Sequence, residues 1–111
     1  MKRVPPMVKA LLEESGWTPD DIDAYVPHQA NKFMLTFLAR KMKIDASKVP
    51  FSIEKFGNTS SASIPLTMLT RGGEMLGKPT KWALMGFGVG LSWSGLMMET
   101  DEIFSLPLHE V

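Results

Sequence analysis

Residues 24–31 read AYVPHQAN, and the change of character within them decides the architecture. Ala24 to His28 is a short run rich in β formers. From about Ala30 to Met42 the pattern becomes helical, with Phe33, Met34, Phe37, Leu38 and Met42 as the apolar stripe. Lys32, Arg40, Lys41 and Lys43 flank that stripe. A strand that hands over to a helix this quickly is one half of a layered α/β unit. His28 sits at the handover, where a strand delivers its side chain to the sheet's carboxyl edge.

Upstream, VPPMVKALLEES (residues 4–15) has Val4, Val8, Leu11 and Leu12 at helical spacing. Its prolines fit a first helical turn, and Gly16 supplies a stop. TPDDID then forms a turn. Downstream, DASKV caps a further turn, and PFSIEKFG reads as a strand. A third helix is expected from about Ser60–Ser63 to Gly72, with serine hydroxyls near its start and Pro65 in an early turn. KWALMGFG and LSWSGLMME read as two strands joined by the tight glycine turn GVG. The order α, β, α, β, α, β, β implies a layered α/β domain with a mixed sheet that ends in an antiparallel hairpin. The segment TDEIFSLPLHEV has no clear period. One domain over 1–111 is expected, with its core at about 4–99 and a tail at 100–111.

Composition excludes several functions. Lys plus Arg number 12 and Asp plus Glu number 12, so there is no basic excess for nucleic acid. No run approaches the roughly 20 apolar residues of a membrane helix. The start, MKRVPPMVK, lacks the apolar core of a secretory signal. There is no cysteine, which removes disulfides and a thiol nucleophile supplied by this chain. With two histidines at unrelated positions, a metal site is not expected, and the cytoplasm is the default setting.

Three stretches carry candidate chemistry. The neutral imidazole of His28 can accept a proton or donate to a carbonyl oxygen; the plain alternative is a packed or capping histidine. In FGNTSSASIP (56–65), Gly57 allows an unusual backbone angle, and Asn58 and the serines precede a helix start; the plain alternative is a turn in which Asn58 and Ser60 only cap. In GFGVGLSW (86–93), alternate glycines allow a backbone N–H to approach a substrate oxygen. No helix follows, so a dinucleotide loop is excluded there. A histidine and an asparagine from successive strand ends, beside a glycine hairpin, suit stabilisation of an enolate or oxyanion.

VPHQAN, IEKFGNTSSASIP and GFGVGLSW, in this order and spacing, resemble the C-terminal half of the β-ketoacyl-acyl-carrier-protein synthase III family. The resemblance covers about residues 4–99 and implies part of a thiolase-like fold. It implies decarboxylative condensation of malonyl-acyl carrier protein with an acyl-CoA primer in fatty-acid or related acyl synthesis. That chemistry uses a Cys-His-Asn triad. His28 and Asn58 match the histidine and asparagine, which hold the malonyl thioester carbonyl. Asn31, Phe87 and Gly88 match residues of the substrate and coenzyme A channel. The backbone N–H of Val89 matches the oxyanion donor, at a position where glycine or alanine is common in the family. No cofactor is implied; coenzyme A and carrier-protein thioesters are substrates.

The resemblance also implies absences. The family's cysteine lies in an N-terminal half that this chain does not contain, so the chain alone is expected to be inactive. The opening strand of the half-domain is also expected to be missing. Its slot would fall between the strands AYVPH and KWALM. Three ways to satisfy that slot are expected: closure of the two strands, another chain, or the tail 101–111. Exposed edges predict a homo-oligomer. The competing reading is a non-catalytic module that binds acyl thioesters or a carrier protein through Asn31, Lys32 or Arg40.

Overall fold

The computed structural model describes residues 3–71, 73–88 and 92–103. It begins with helix α1 (Val4–Ser15), which carries prolines in its first turn and buries Val4 and Val8. Gly16 ends it in the left-handed region (φ 75°) and returns its N–H to Leu12 O at 3.1 Å. A 3₁₀ turn, Pro19–Asp21, leads to strand β1 (Ala24–Pro27). Helix α2 (Lys32–Lys41) follows, then a 3₁₀ turn, Ala46–Lys48, capped by Asp45 Oδ1 on Ser47 N–H at 3.0 Å. The remaining elements are α3 (Ile53–Phe56), a 3₁₀ turn (Ser60–Ala62), α4 (Ser63–Arg71), α5 (Gly73–Leu76), β2 (Thr80–Gly88) and β3 (Ser92–Thr100).

The sheet has the order β1-β2-β3. β1 runs parallel to β2 in the register Ala24↔Trp82 to Pro27↔Met85, and β2 pairs antiparallel with β3 from Thr80↔Thr100 to Gly88↔Ser92. The antiparallel hairpin and the mixed sheet are as expected from sequence; Gly88 of the expected GVG turn ends β2 instead, and residues 89–91 lie outside the described residues. The slot expected between AYVPH and KWALM is closed. The two strands bond directly, which satisfies backbone groups that would otherwise be buried unpaired. Pro27, which has no N–H to donate, ends β1.

Side chains alternate across the sheet with period two. Tyr25, Ala83 and Met85 face one core with Val4, Val8, Leu38, Ala39 and Val49. Ala24, Val26 and Trp82 face the other with Leu76, Ile64 and Met68. Helices therefore cover both faces, and every residue of β1 is buried. Trp82 is fully buried, and its indole N–H donates to Thr100 Oγ1 at 2.9 Å.

Two expectations are corrected. PFSIEKFG is not a strand: Ile53–Phe56 is a single α-helical turn ended by Gly57 at φ 69°. Its first N–H groups are satisfied by a side chain from β1's end, described below, so no ladder partner is needed. The buried face of α2 is also rotated from the predicted stripe. Leu35, Leu38 and Ala39 are buried, whereas Phe33 is 80% exposed and Phe37 45%. Phe33 and Phe37, four apart, share the solvent side of the helix, where Lys41 lies 5.9 Å from the Phe37 ring centroid.

Candidate functional site

Parallel pairing brings the carboxyl ends of β1 and β2 to one edge of the sheet, where α/β folds place ligand crevices. His28 is the first residue past β1. Its backbone N–H donates to Met85 O at 2.7 Å, extending the β1–β2 contact by one residue. Its side chain borders a cavity of about 180 Å³, lined also by Ser60, Ser61, Ser63, Ile64, Gly86 and Phe87. The Phe87 and His28 rings form a T-shaped pair, with centroids 5.6 Å apart and planes at 73°. The Nδ1 atom of His28 is 2.6 Å from Ser63 Oγ.

A buried polar cluster underlies the imidazole. Gln29 is fully buried; its N–H donates to Ser63 Oγ at 3.3 Å, and its Nε2 donates to Pro27 O at 3.0 Å. Its Oε1 accepts from the N–H of Ser52 at 3.0 Å and of Ile53 at 3.3 Å. Thr67 Oγ1 donates to Ser63 O at 2.7 Å and lies 2.6 Å from Ser52 Oγ. Buried polar groups are held only when paired in this way. The cluster ties β1's end, the start of α3 and the first turns of α4 into one unit.

The sequence-derived residues do not all converge. His28 and Phe87 line one cavity; Gly88, at the end of β2, does not. Asn58 is exposed and lies two residues before Ser60. Its Oδ1 accepts from Ser60 N–H at 3.0 Å, in a turn that holds Ser60 at the positive φ of 56°. The amide NH₂ of Asn58 can only donate, and Asn58 is not among the residues that line the His28 cavity. Asn31 is the N-cap of α2, its Oδ1 accepting from Met34 N–H at 2.8 Å. Lys32 forms an ion pair with Glu54 across the solvent face. Val89 lies outside the described residues. Ser63 and Gln29 were not singled out by sequence. Ser63 reads as one more cap among several serines, and only its burial and nearness to His28 distinguish it.

Among the described residues no cluster of His, Cys, Asp and Glu is arranged to hold a metal ion, and no helix is long and apolar enough to cross a membrane. The site offers hydrogen-bond donors at a small concave edge, a set suited to a developing negative charge on oxygen.

Residues 12–100 match the family model described as 3-oxoacyl-[acyl-carrier-protein (ACP)] synthase III C terminal. A β-ketoacyl-[acyl-carrier-protein] synthase III of Streptomyces coelicolor is 38% identical over 98 residues, covering 87% of this chain and 30% of the relative. A synthase III of Bacillus anthracis is 41% identical over 101 residues, covering 90% of this chain and 31% of its own length. The crystal structure of a 3-oxoacyl-(acyl-carrier protein) synthase from Burkholderia xenovorans LB400 superposes with a TM-score of 0.85 at 39% identity, over 89% of this chain and 29% of that one. The chain thus spans about a third of the length of these relatives.

Proposed function

Because the chain belongs to the 3-oxoacyl-[acyl-carrier-protein] synthase III family through its C-terminal domain and carries part of a thiolase-like α/β fold, we propose that it supplies the histidine and asparagine of a decarboxylative condensing centre. The substrates in this reading are an acyl-CoA primer and malonyl-acyl carrier protein, and the reaction is a step of fatty-acid or related acyl synthesis. His28 and Asn58 donate hydrogen bonds to the thioester carbonyl oxygen of the malonyl group. The bond to the carboxylate carbon breaks, CO₂ leaves, and the electron pair passes to an enolate whose oxygen these two donors stabilise. The enolate carbon then attacks an acyl thioester carbonyl, and the thiolate departs. That acyl group sits on a cysteine from the N-terminal half of the enzyme, since this chain has none. The N–H of Val89 serves the tetrahedral oxyanion, and Asn31, Phe87 and Gly88 border the pantetheine channel.

The observation that carries this reading is His28 itself. It stands at the carboxyl edge of two parallel strands, against a cavity, with Nδ1 engaged by Ser63. No cofactor enters the reaction, and the setting is the cytoplasm. The partners are the nucleophile-bearing half and, in a homo-oligomer, a second copy.

The test is a condensation assay with acyl-CoA and malonyl-acyl carrier protein. The chain alone is expected to give no product, and the chain joined to a nucleophile-bearing N-terminal half of a relative is expected to give β-ketoacyl product. Turnover by the isolated chain overturns the assignment of the nucleophile. Binding of malonyl-CoA by the joined protein with no condensation favours a binding module instead.

A further inference from the structure

We infer that Ser63 is a positioning residue that holds the His28 ring as the tautomer with a bare Nδ1 and a protonated Nε2. The inference deepens the reading above, in which His28 acts as a hydrogen-bond donor, but its geometry stands apart from any substrate.

The argument is one of proton accounting. A serine hydroxyl has one proton to give and two lone pairs to accept with. Ser63 is 1% exposed, so each of these groups must find its partner inside the protein. Its Oγ has two neighbours among the described residues: the backbone N–H of Gln29 at 3.3 Å and His28 Nδ1 at 2.6 Å. The N–H of Gln29 can only donate, so it takes a lone pair. The hydroxyl proton then has one place to go, which is Nδ1. The reverse arrangement, with Nδ1 carrying a proton, aims two donors at Oγ and leaves the hydroxyl proton without an acceptor in a buried site. The short contact is therefore Ser63 O–H donating to a bare Nδ1, and the neutral ring carries its proton on Nε2.

Two more contacts hold the ring while the tautomer is set. The backbone N–H of His28 is tied to Met85 O, and the Phe87 ring packs against the imidazole in a T-shaped pair. Gln29, which delivers the selecting N–H, is itself held by Pro27, Ser52 and Ile53. The imidazole thereby presents a donor to the cavity, and the serine that enforces this need not touch substrate.

The test is nitrogen-15 NMR of the chain labelled at histidine, at a pH where the ring is neutral. Wild type is expected to show His28 Nδ1 as the unprotonated, pyridine-like nitrogen and Nε2 as the pyrrole-like one. Ser63→Ala is expected to move both signals toward intermediate values as the two tautomers mix. Ser63→Thr, which keeps the hydroxyl, is expected to restore the wild-type pattern. A protonated Nδ1 in wild type overturns the inference, and so does an unchanged pattern in Ser63→Ala. If Ser63→Ala does not fold, the wild-type spectrum alone still decides, because a proton on Nδ1 there is incompatible with the assignment. The measurement needs no substrate, so its failure is separable from failure of the condensation assay.

Discussion

The carboxamide oxygen of Gln29 accepts from the backbone N–H of Ser52 at 3.0 Å and so joins the end of β1 to the start of α3. The amide of the same side chain closes on Pro27 O. Gln29→Leu keeps most of the volume and removes every one of these bonds. Buried donors and acceptors left unpaired cost about 1–3 kcal/mol each. Three such groups lose their partner, so the expected loss is about 3 kcal/mol or more, read as a lower urea midpoint with an unchanged slope. A loss below about 1 kcal/mol would mean that water replaces the carboxamide.

Lys43 follows α2 with φ 56°, a left-handed conformation that a side chain disfavours. It is exposed, and its N–H returns to Arg40 O at 3.1 Å. Lys43→Gly is expected to raise stability by about 0.5–1 kcal/mol, since relief of the strain exceeds the added freedom of the unfolded chain. Thermal unfolding reads this as a rise of a few degrees.

Gly95 on β3 lies beneath α1. A Cβ there would stand 2.8 Å from Leu11 Cδ1 and from Met7 Cε. Both are ends of flexible side chains, so Gly95→Ala is expected to cost less than about 1 kcal/mol. Gly95→Leu cannot be absorbed this way and is expected to cost about 1–3 kcal/mol by overpacking. Equal effects of the two substitutions in denaturant melts would show that α1 lifts off the sheet.

Asp21 and Asp45 both have their carboxyl pKa held below the ordinary 3.8, first by backbone N–H donors: Thr18 for Asp21 and Ser47 for Asp45. A lowered folded-state value means that the unfolded chain takes up protons first as pH falls. Their contribution is thus present above about pH 4 and is lost as pH drops through the folded value. The double variant Asp21→Asn, Asp45→Asn is expected to flatten the acid side of the stability curve below that pH, measured by urea midpoints across pH. A curve of unchanged shape refutes the assignment.

In protein joined to a nucleophile-bearing half of a relative, His28→Ala and Asn58→Ala are each expected to lower kcat for condensation by about 10²–10³, the usual cost of one oxyanion donor. In the proposed centre the two donors serve one oxygen, so the double variant is expected to lose little more than the worse single one. Full additivity would place them on different atoms.

Much of the fold is written locally. The spacing of Val4 and Val8 with Gly16 behind them makes α1, and the β formers of AYVP and KWALM, with glycines between the last two strands, make the sheet. His28 was legible for the same reason: a run of β formers that reaches a His just before a helical pattern is a signal a few residues long. Three features were not local. The face that α2 buries depends on where β1 and α1 sit, so Phe33 and Phe37 face solvent despite their size. α3 exists as helix because Gln29, more than twenty positions earlier, satisfies its first N–H groups. Among the serines of SSAS, Ser63 is set apart by its burial and by an imidazole thirty-five positions away. Caps, turns and side-chain periodicity are set within one or two turns of chain, so the sequence alone determined them. The partner of a buried polar group is chosen by burial, since losing water forces it to pair with whatever the fold brings near, and only the tertiary structure decided that.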